Sequence, residues 1–308
     1  MAAVFAFAER PLPAMPTTEV RIEHLLMLDV ARVGERLIVV GERGAVFFSD
    51  DDGQTWQQAT TPRTPMLTAV TAVDDQTLVT VGHDSTILRS VDRGLNWQKV
   101  FSEPAAEEPL LSVWFNDSGH GFAIGAYGRA LESRNAGLDW VERTVDGNEL
   151  HLNAIVAVGG HLLVVGEAGT LLRSDDEGAT WHALDSPYAG SWFGALALPD
   201  ESVLAFGMRG HLYRSVDVGE TWTEISTGTE SSLFGGLVLA DGTLVLVGQN
   251  GLVLTGQQGA TNLTALDSDT SRNFTAVIDR KDKDGLLLIG ERGVHEADRA
   301  PRHPQGDL

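Results

Sequence analysis

A glycine ends an apolar run seven times along this 308-residue chain, in "VVGERG", "TVGHDS", "AIGAYG", "VVGEAG", "AFGMRG", "LVGQNG" and "LIGERG". The leading residues are Gly41, Gly82, Gly125, Gly166, Gly207, Gly248 and Gly290, spaced 41, 43, 41, 41, 41 and 42 residues apart. Seven units in phase are an internal repeat, and this period belongs to architectures that stack one supersecondary unit many times. No other feature of the chain narrows the fold as far.

A second landmark rides on the first. Eight residues after the glycine, a serine opens the box Ser-x-Asp-x-Gly-x-Thr-Trp. Its copies are "SDDDGQTW", "SVDRGLNW", "SRNAGLDW", "SDDEGATW" and "SVDVGETW". They place box acids at Asp51, Asp92, Asp176 and Asp217, with Asn135 standing in, and tryptophans at Trp56, Trp97, Trp140, Trp181 and Trp222. The sixth unit decays to "GQQGATN", and the seventh stops at "GVHEAD" before any box.

Three consecutive aspartates in the first copy invite a metal or catalytic reading. A calcium loop needs alternating oxygen ligands, and other copies put Val, Arg or Asn beside the central acid. Catalysis does not need one residue copied five times. The box therefore reads as scaffolding. Its Asp accepts hydrogen bonds from amides ahead of it, and its Gly supplies a positive φ. Its Trp opens the next strand and packs between units, a burial worth about 2–3 kcal/mol.

Within one unit, "LTAVTAVDDQTLVTVGHDSTILRSVDRGLNWQKV", β-forming residues fall into four runs, 67–73, 77–81, 86–89 and 96–100, separated by turn residues. No run has a helical period. Four strands per unit, seven times over, predict an all-β fold: a seven-bladed β-propeller with four-stranded antiparallel blades. A ring also removes the open edges that a linear array would expose. The whole chain, 1–308, reads as one domain. Residues 1–25 are a closing strand and linker, 26–298 the repeats, and 299–308 a tail. The last unit has three strands, so its fourth is expected from the N-terminal "VFAFAE", residues 4–9.

These units resemble Asp-box (BNR) repeats, found in sialidases, some glucan hydrolases, sorting receptors and photosystem II assembly factors. The pairing of "VGxxGxxxxS" with "DxGxTW" in a chain of seven units most resembles the photosystem II stability/assembly-factor family, over residues 26–298. The resemblance implies a seven-bladed propeller that is exported, binds unassembled membrane proteins and does not catalyse. Relatives also occur in bacteria without photosynthesis. The strong acidity of this chain, and the absence of a complete export or lipobox segment, read it as a non-photosynthetic relative.

Propeller topology sorts the turns. Those between strands one and two, and three and four, share one face. Those between strands two and three share the other with the blade crossovers. The Gly-x-x-Gly turns therefore oppose the boxes, and their middle residues vary within a fixed frame, as a binding surface would. The predicted ring contains Glu42 and Arg43, His83 and Asp84, Ala126 and Tyr127, Glu167 and Ala168, Met208 and Arg209, Gln249 and Asn250, and Glu291 and Arg292. The crossover "SPYAGSWF" adds Tyr188, Trp192 and Phe193 as aromatic anchors, unless Trp192 and Phe193 begin an inner strand. His83 is the one histidine in the turn ring, so no metal site is expected, and no cofactor.

Charge bounds the partner. Lys and Arg number 22 against 43 Asp and Glu, a formal net charge of −21 with only three lysines. Such a field repels phosphate backbones, so nucleic acid is not expected. A cationic or neutral partner suits it better. No run of about 18 apolar residues spans a membrane. There are no cysteines, which removes disulfides, thiolate metal sites and cysteine nucleophiles. The compartment stays open: periplasm if "MAAVFAFAERPLPAMP" is the trimmed remainder of an export segment, otherwise cytoplasm.

The favoured function is a monomeric, non-catalytic binding or assembly propeller. It would recognise a protein segment, such as a cell-envelope or membrane-protein segment, on the Gly-x-x-Gly face. The alternative is a glycoside hydrolase or sialidase-like enzyme on that face. It would use Arg43, Arg209 and Arg292 as carboxylate binders, Tyr127 as nucleophile and Glu167 as its helper.

Overall fold

Each period of the repeat becomes one antiparallel sheet. The structure is a computed structural model that describes residues 20–299 except 146, 258, 260, 261, 267, 269 and 282–284. In the second unit the strands are Leu67–Ala72, Leu78–Gly82, Ile87–Ser90 and Gln98–Phe101, in that order across the sheet. Six sheets have four strands, and the seventh has three among the described residues. The inner strands are Met27–Val33, Leu67–Ala72, Leu110–Phe115, Leu152–Val158, Trp192–Ala197, Leu233–Val238 and Phe274–Asp279. Each packs on the next, and the last packs on the first, closing a seven-bladed propeller.

The core lies between blades. Second strands such as Arg36–Gly41 are buried on both faces, which is why "LIVV" is a continuous apolar run. Ile38, Val40 and Val46 of the first blade meet Leu67, Leu78, Leu88 and Trp97 of the second. The leading glycines are required by space. A Cβ there would lie 2.0–2.3 Å from the carbonyl oxygen of the residue just before the same blade's inner strand.

The boxes are hairpin clamps. Asp217 accepts from the Thr221 amide at 2.8 Å, the Thr221 hydroxyl at 2.6 Å and the Ser215 hydroxyl at 2.7 Å. Asp51, Asp92 and Asp176 repeat the pattern. In the third blade Asn135 accepts from the Asp139 amide at 2.9 Å and donates to the Asp139 carboxylate at 2.8 Å, so the charge has moved four residues along. Each box then leans on the preceding blade. Trp97 packs with first-blade residues, Trp140 with Val79 and Val81, and Trp181 edge-on to Phe122 at 5.9 Å.

The three adjacent aspartates of the first box do three jobs. Asp50 takes a two-pronged hydrogen bond from Arg36, at 2.6 and 2.9 Å. Asp51 is the clamp. Asp52 reaches across the junction of the first and seventh blades, accepting from Arg32 at 3.0 Å and from the Lys281 amide at 2.7 Å. Trp56 packs beside Leu287 and Ile289 of the seventh blade, and the Thr275 hydroxyl donates to the Met27 carbonyl at 3.0 Å. These contacts hold the ring junction. The expected closing strand at residues 4–9 lies outside the described residues.

Candidate functional site

The two faces separate as the topology requires. Gly44, Gly128, Gly169, Gly210 and Gly251 pack against the crossovers, where a Cβ would lie 1.9–2.6 Å from Thr64, Asn148, Tyr188, Thr229 and Thr270. The boxes pack instead against the hairpins between strands one and two. The Arg93 amide donates to Gln76 and the Ala136 amide to Gly119.

The turn face carries a regular device. The second middle residue of every turn is left-handed: Arg43, Asp84, Tyr127, Ala168, Arg209, Asn250 and Arg292, with φ between 52° and 62°. This conformation lifts the side chain away from the blade. Arg43, Tyr127, Ala168, Arg209, Asn250 and Arg292 are exposed, and Asp84 is half-buried. The first middle residues differ. Glu42, Glu167 and Glu291 are half-buried, while His83, Met208 and Gln249 are exposed and Ala126 is buried. Glu42 accepts from the Leu26 amide at 3.3 Å and pairs with Arg43 at the same distance. Glu291 accepts from Asn273 at 3.0 Å.

The fold brings Tyr127 and Glu167 together through His151. The Tyr127 amide donates to His151 Nδ1 at 3.2 Å, and the two rings meet edge-on at 4.9 Å. An accepting Nδ1 leaves the neutral ring's proton on Nε2, which lies 3.8 Å from Glu167 Oε2. The His151 amide donates to that same oxygen at 3.2 Å. Arg43, Arg209 and Arg292 stand on the first, fifth and seventh blades, and no hydrogen bond or ion pair joins them among the described residues.

Trp192 is not an anchor on the surface. It is fully buried, as the first residue of an inner strand, and packs against Tyr188, Tyr213 and Trp222. The residues at this position in the other blades, Met27, Leu67, Leu110, Leu152, Leu233 and Phe274, are equally buried. Phe193 is half-buried and pairs with Phe234 of the next blade at 5.6 Å. Tyr188 lies over His211 with ring centres 4.1 Å apart. Nearby, a shallow pocket of about 360 Å³ opens between the Arg209 turn and the 226–230 crossover, lined also by His211, Glu224 and Glu230.

Several contributors were not expected from the sequence. His151, Ser232 and Asn273 each precede an inner strand and accept from the left-handed amide of the preceding blade. Their common position is visible once the units are aligned on the inner strands. The second residue of each inner strand is a bulge: Leu28, Thr68, Leu111, Asn153, Phe193, Phe234 and Thr275. Where polar, it bridges to the next blade, as Thr68 does to the Leu110 carbonyl at 2.6 Å and Asn153 to that of Trp192 at 2.7 Å. Asp29 follows this bulge in the first blade. Burial pushes its carboxyl up from 3.8 to about 6, against the hydrogen bonds from the Val70 and Val30 amides.

Comparison with known proteins agrees with the geometry. The family profile described as "Photosynthesis system II assembly factor YCF48" matches residues 95–293, and that of the BNR/Asp-box repeat matches residues 47–58. Among curated proteins there is no match. The chain is similar to a structure described as "YCF48 bound to D1 peptide", at 17% identity and TM-score 0.72, covering 88% of this chain and 92% of that one. YCF48 from Cyanidioschyzon merolae is 13% identical with TM-score 0.65, covering 89% and 96% of the two chains. The WD40 propeller domain of Doa1 is also 13% identical, with TM-score 0.70 and coverages of 88% and 92%.

Proposed function

We propose, from the premise that this chain belongs to the photosynthesis system II assembly factor YCF48 family, that it is a non-catalytic binding propeller. Its turn face takes a protein segment. The observation that carries this reading is the ring of seven left-handed turns, one backbone geometry presenting seven different side chains. The scaffold repeats while the displayed residues do not, and a recognition surface needs that combination. A structure of the same fold is described as YCF48 bound to a D1 peptide, which supports a peptide as the class of ligand. The net charge of −21 favours a partner that is cationic or neutral overall. An unassembled membrane protein is the source of that segment which the resemblance implies.

Site-specific photocrosslinking in the host cell tests the face. A photoreactive residue at 43, 127 or 209 should capture a protein. One at Val91 or Val216, which are 59% and 74% exposed within the boxes, should not. Capture from the boxes alone overturns the assignment. Charge reversal of Arg43, Arg209 and Arg292 should also change the captured set. Turnover of a fluorogenic sialoside or glucoside, lost in Tyr127→Phe or Glu167→Gln, would replace binding by the glycosidase reading.

A further inference from the structure

The position that follows the bulge holds Asp29, Ala69, Ser112, Ala154, Gly194, Gly235 and Ala276 around the ring. Six are small and neutral, and one is a carboxylate. Inner strands line the axis of a propeller, and these residues lie just inside the end that opens on the turn face. The other charged residues of the seven inner strands are Arg32 and Asp279, at the opposite end. Those two face each other across the ring junction at 3.9 Å.

Asp29 accepts from its neighbour's amide, Val30, at 2.8 Å and from the Val70 amide of the second blade at 2.8 Å. No basic side chain reaches it among the described residues. The bond to Val70 does not explain the charge. The Ser112 hydroxyl accepts from the Ile155 amide across the third and fourth blades at 3.4 Å, so an uncharged side chain does the same bridging. Two carboxylate oxygens offer about four acceptor sites, and the two amides occupy two of them. The bulge residues at the same mouth include Leu28, Leu111, Phe193 and Phe234, all half-buried. A half-buried carboxylate below a partly apolar, aromatic rim has the composition that receives the stem and head of a long cationic side chain.

We propose that the turn-face mouth of the central channel is a receptor for one cationic side chain, Lys or Arg, with Asp29 as its counter-ion. The carrier of that cation rests on the proposed binding function, whereas the receptor itself is a property of the isolated propeller. The neutral channel wall gives the cation no competing partner, and the rim packs along its methylenes.

The test is a titration of the full, isotopically labelled chain with n-butylammonium, followed by the amide resonances of Val30 and Val70. Butanol serves as the neutral control at equal ionic strength. Butylammonium should shift both amides saturably, butanol should not, and Asp29→Ser should weaken the response at least tenfold. Asp29→Asn, which also keeps an acceptor, should behave alike. Equal shifts with butanol, no saturable shift, or an unchanged response in both variants would overturn the receptor and leave Asp29 as a bridge like Ser112. This readout uses no protein partner. Failure of the crosslinking experiment therefore removes the binding function without touching it, and the converse also holds.

Discussion

Replacing Asp29 by serine should make the propeller less sensitive to pH, with a sign that can be fixed in advance. Burial raises the Asp29 pKa from 3.8 to about 6, so the folded state holds this proton more tightly than the unfolded state. Between pH ~4 and ~6 the folded carboxyl is protonated while the unfolded one is not. Stability from this site is therefore greatest at the acid end and falls as pH rises to about 6, then stays flat. A shift of this size corresponds to about 3 kcal/mol between the two limits. The facing strands add no compensating charge: Leu67–Ala72 carries none, Arg36 is held by Asp50, and Asp279 lies at the far end beside Arg32. Serine loses the Val30 bond, a pH-independent cost of about 1–2 kcal/mol. Urea unfolding of both proteins from pH 4 to pH 8 separates the two effects, because other titrations cancel in the difference. The serine variant should be the less stable at pH 4 and gain about 2.5 kcal/mol relative to the parent by pH 7. A difference that stays constant over that range would refute the assignment of a desolvated carboxylate to the channel.

Asp52→Ala removes the carboxylate shared by Arg32 and Lys281 at the ring junction and should cost about 3–5 kcal/mol in thermal or urea unfolding. Asp50→Ala, two residues earlier on an exposed pair, should cost about 1 kcal/mol or less. The box clamps titrate with the opposite sign to Asp29. Burial alone would raise Asp217, but hydrogen bonds from Thr221 and Ser215 outweigh it and hold its carboxyl below the ordinary value. Its contribution is present at neutral pH and lost as pH falls below about 4, so Asp217→Asn should lose less stability than the parent between pH 5 and pH 3. Ala168→Gly relieves a left-handed alanine whose side chain is exposed, and should raise stability by up to about 1 kcal/mol in denaturant unfolding.

The blade count and the clamps were legible because their chemistry is local. Ser215, Asp217, Gly219 and Thr221 find one another within a single hairpin, and the spacing that makes those bonds is the spacing that repeats. The separate duties of Asp50 and Asp52 were not legible. Asp52 meets the Lys281 amide across 229 residues of sequence, where no local pattern records the meeting. Trp192 looked like an anchor because it sits among crossover aromatics. Aligning the first residue of each inner strand would have placed it in the column of Met27, Leu110 and Phe274, which is core in every blade. His151 and Asp29 were passed over for a related reason. Each acts on the neighbouring blade, so only the strand register and the bulge reveal what it faces.

The left-handed turns bear on whether the ring is a working surface. A residue with a Cβ is disfavoured in this conformation by roughly 1–2 kcal/mol, a cost glycine escapes. Glycine does occupy the next position in six of the seven turns, and Ser85 takes it in the second. Yet none of the seven preceding positions is glycine: they hold Arg, Asp, Tyr, Ala, Arg, Asn and Arg. Asn and Asp tolerate the conformation through their short polar side chains, which accounts for Asp84 and Asn250 on local grounds. Tyrosine and three arginines have no such local reason. Their side chains are exposed; Tyr127 meets only the edge of the His151 ring, and Arg43 has only its neighbour Glu42 as an ion-pair partner among the described residues, so packing accounts for little of their presence. A side chain kept at a backbone cost and directed outward is best explained by what it meets in solution. That makes Arg43, Tyr127, Arg209 and Arg292, ahead of the half-buried glutamates beside them, the residues on which partner recognition should depend.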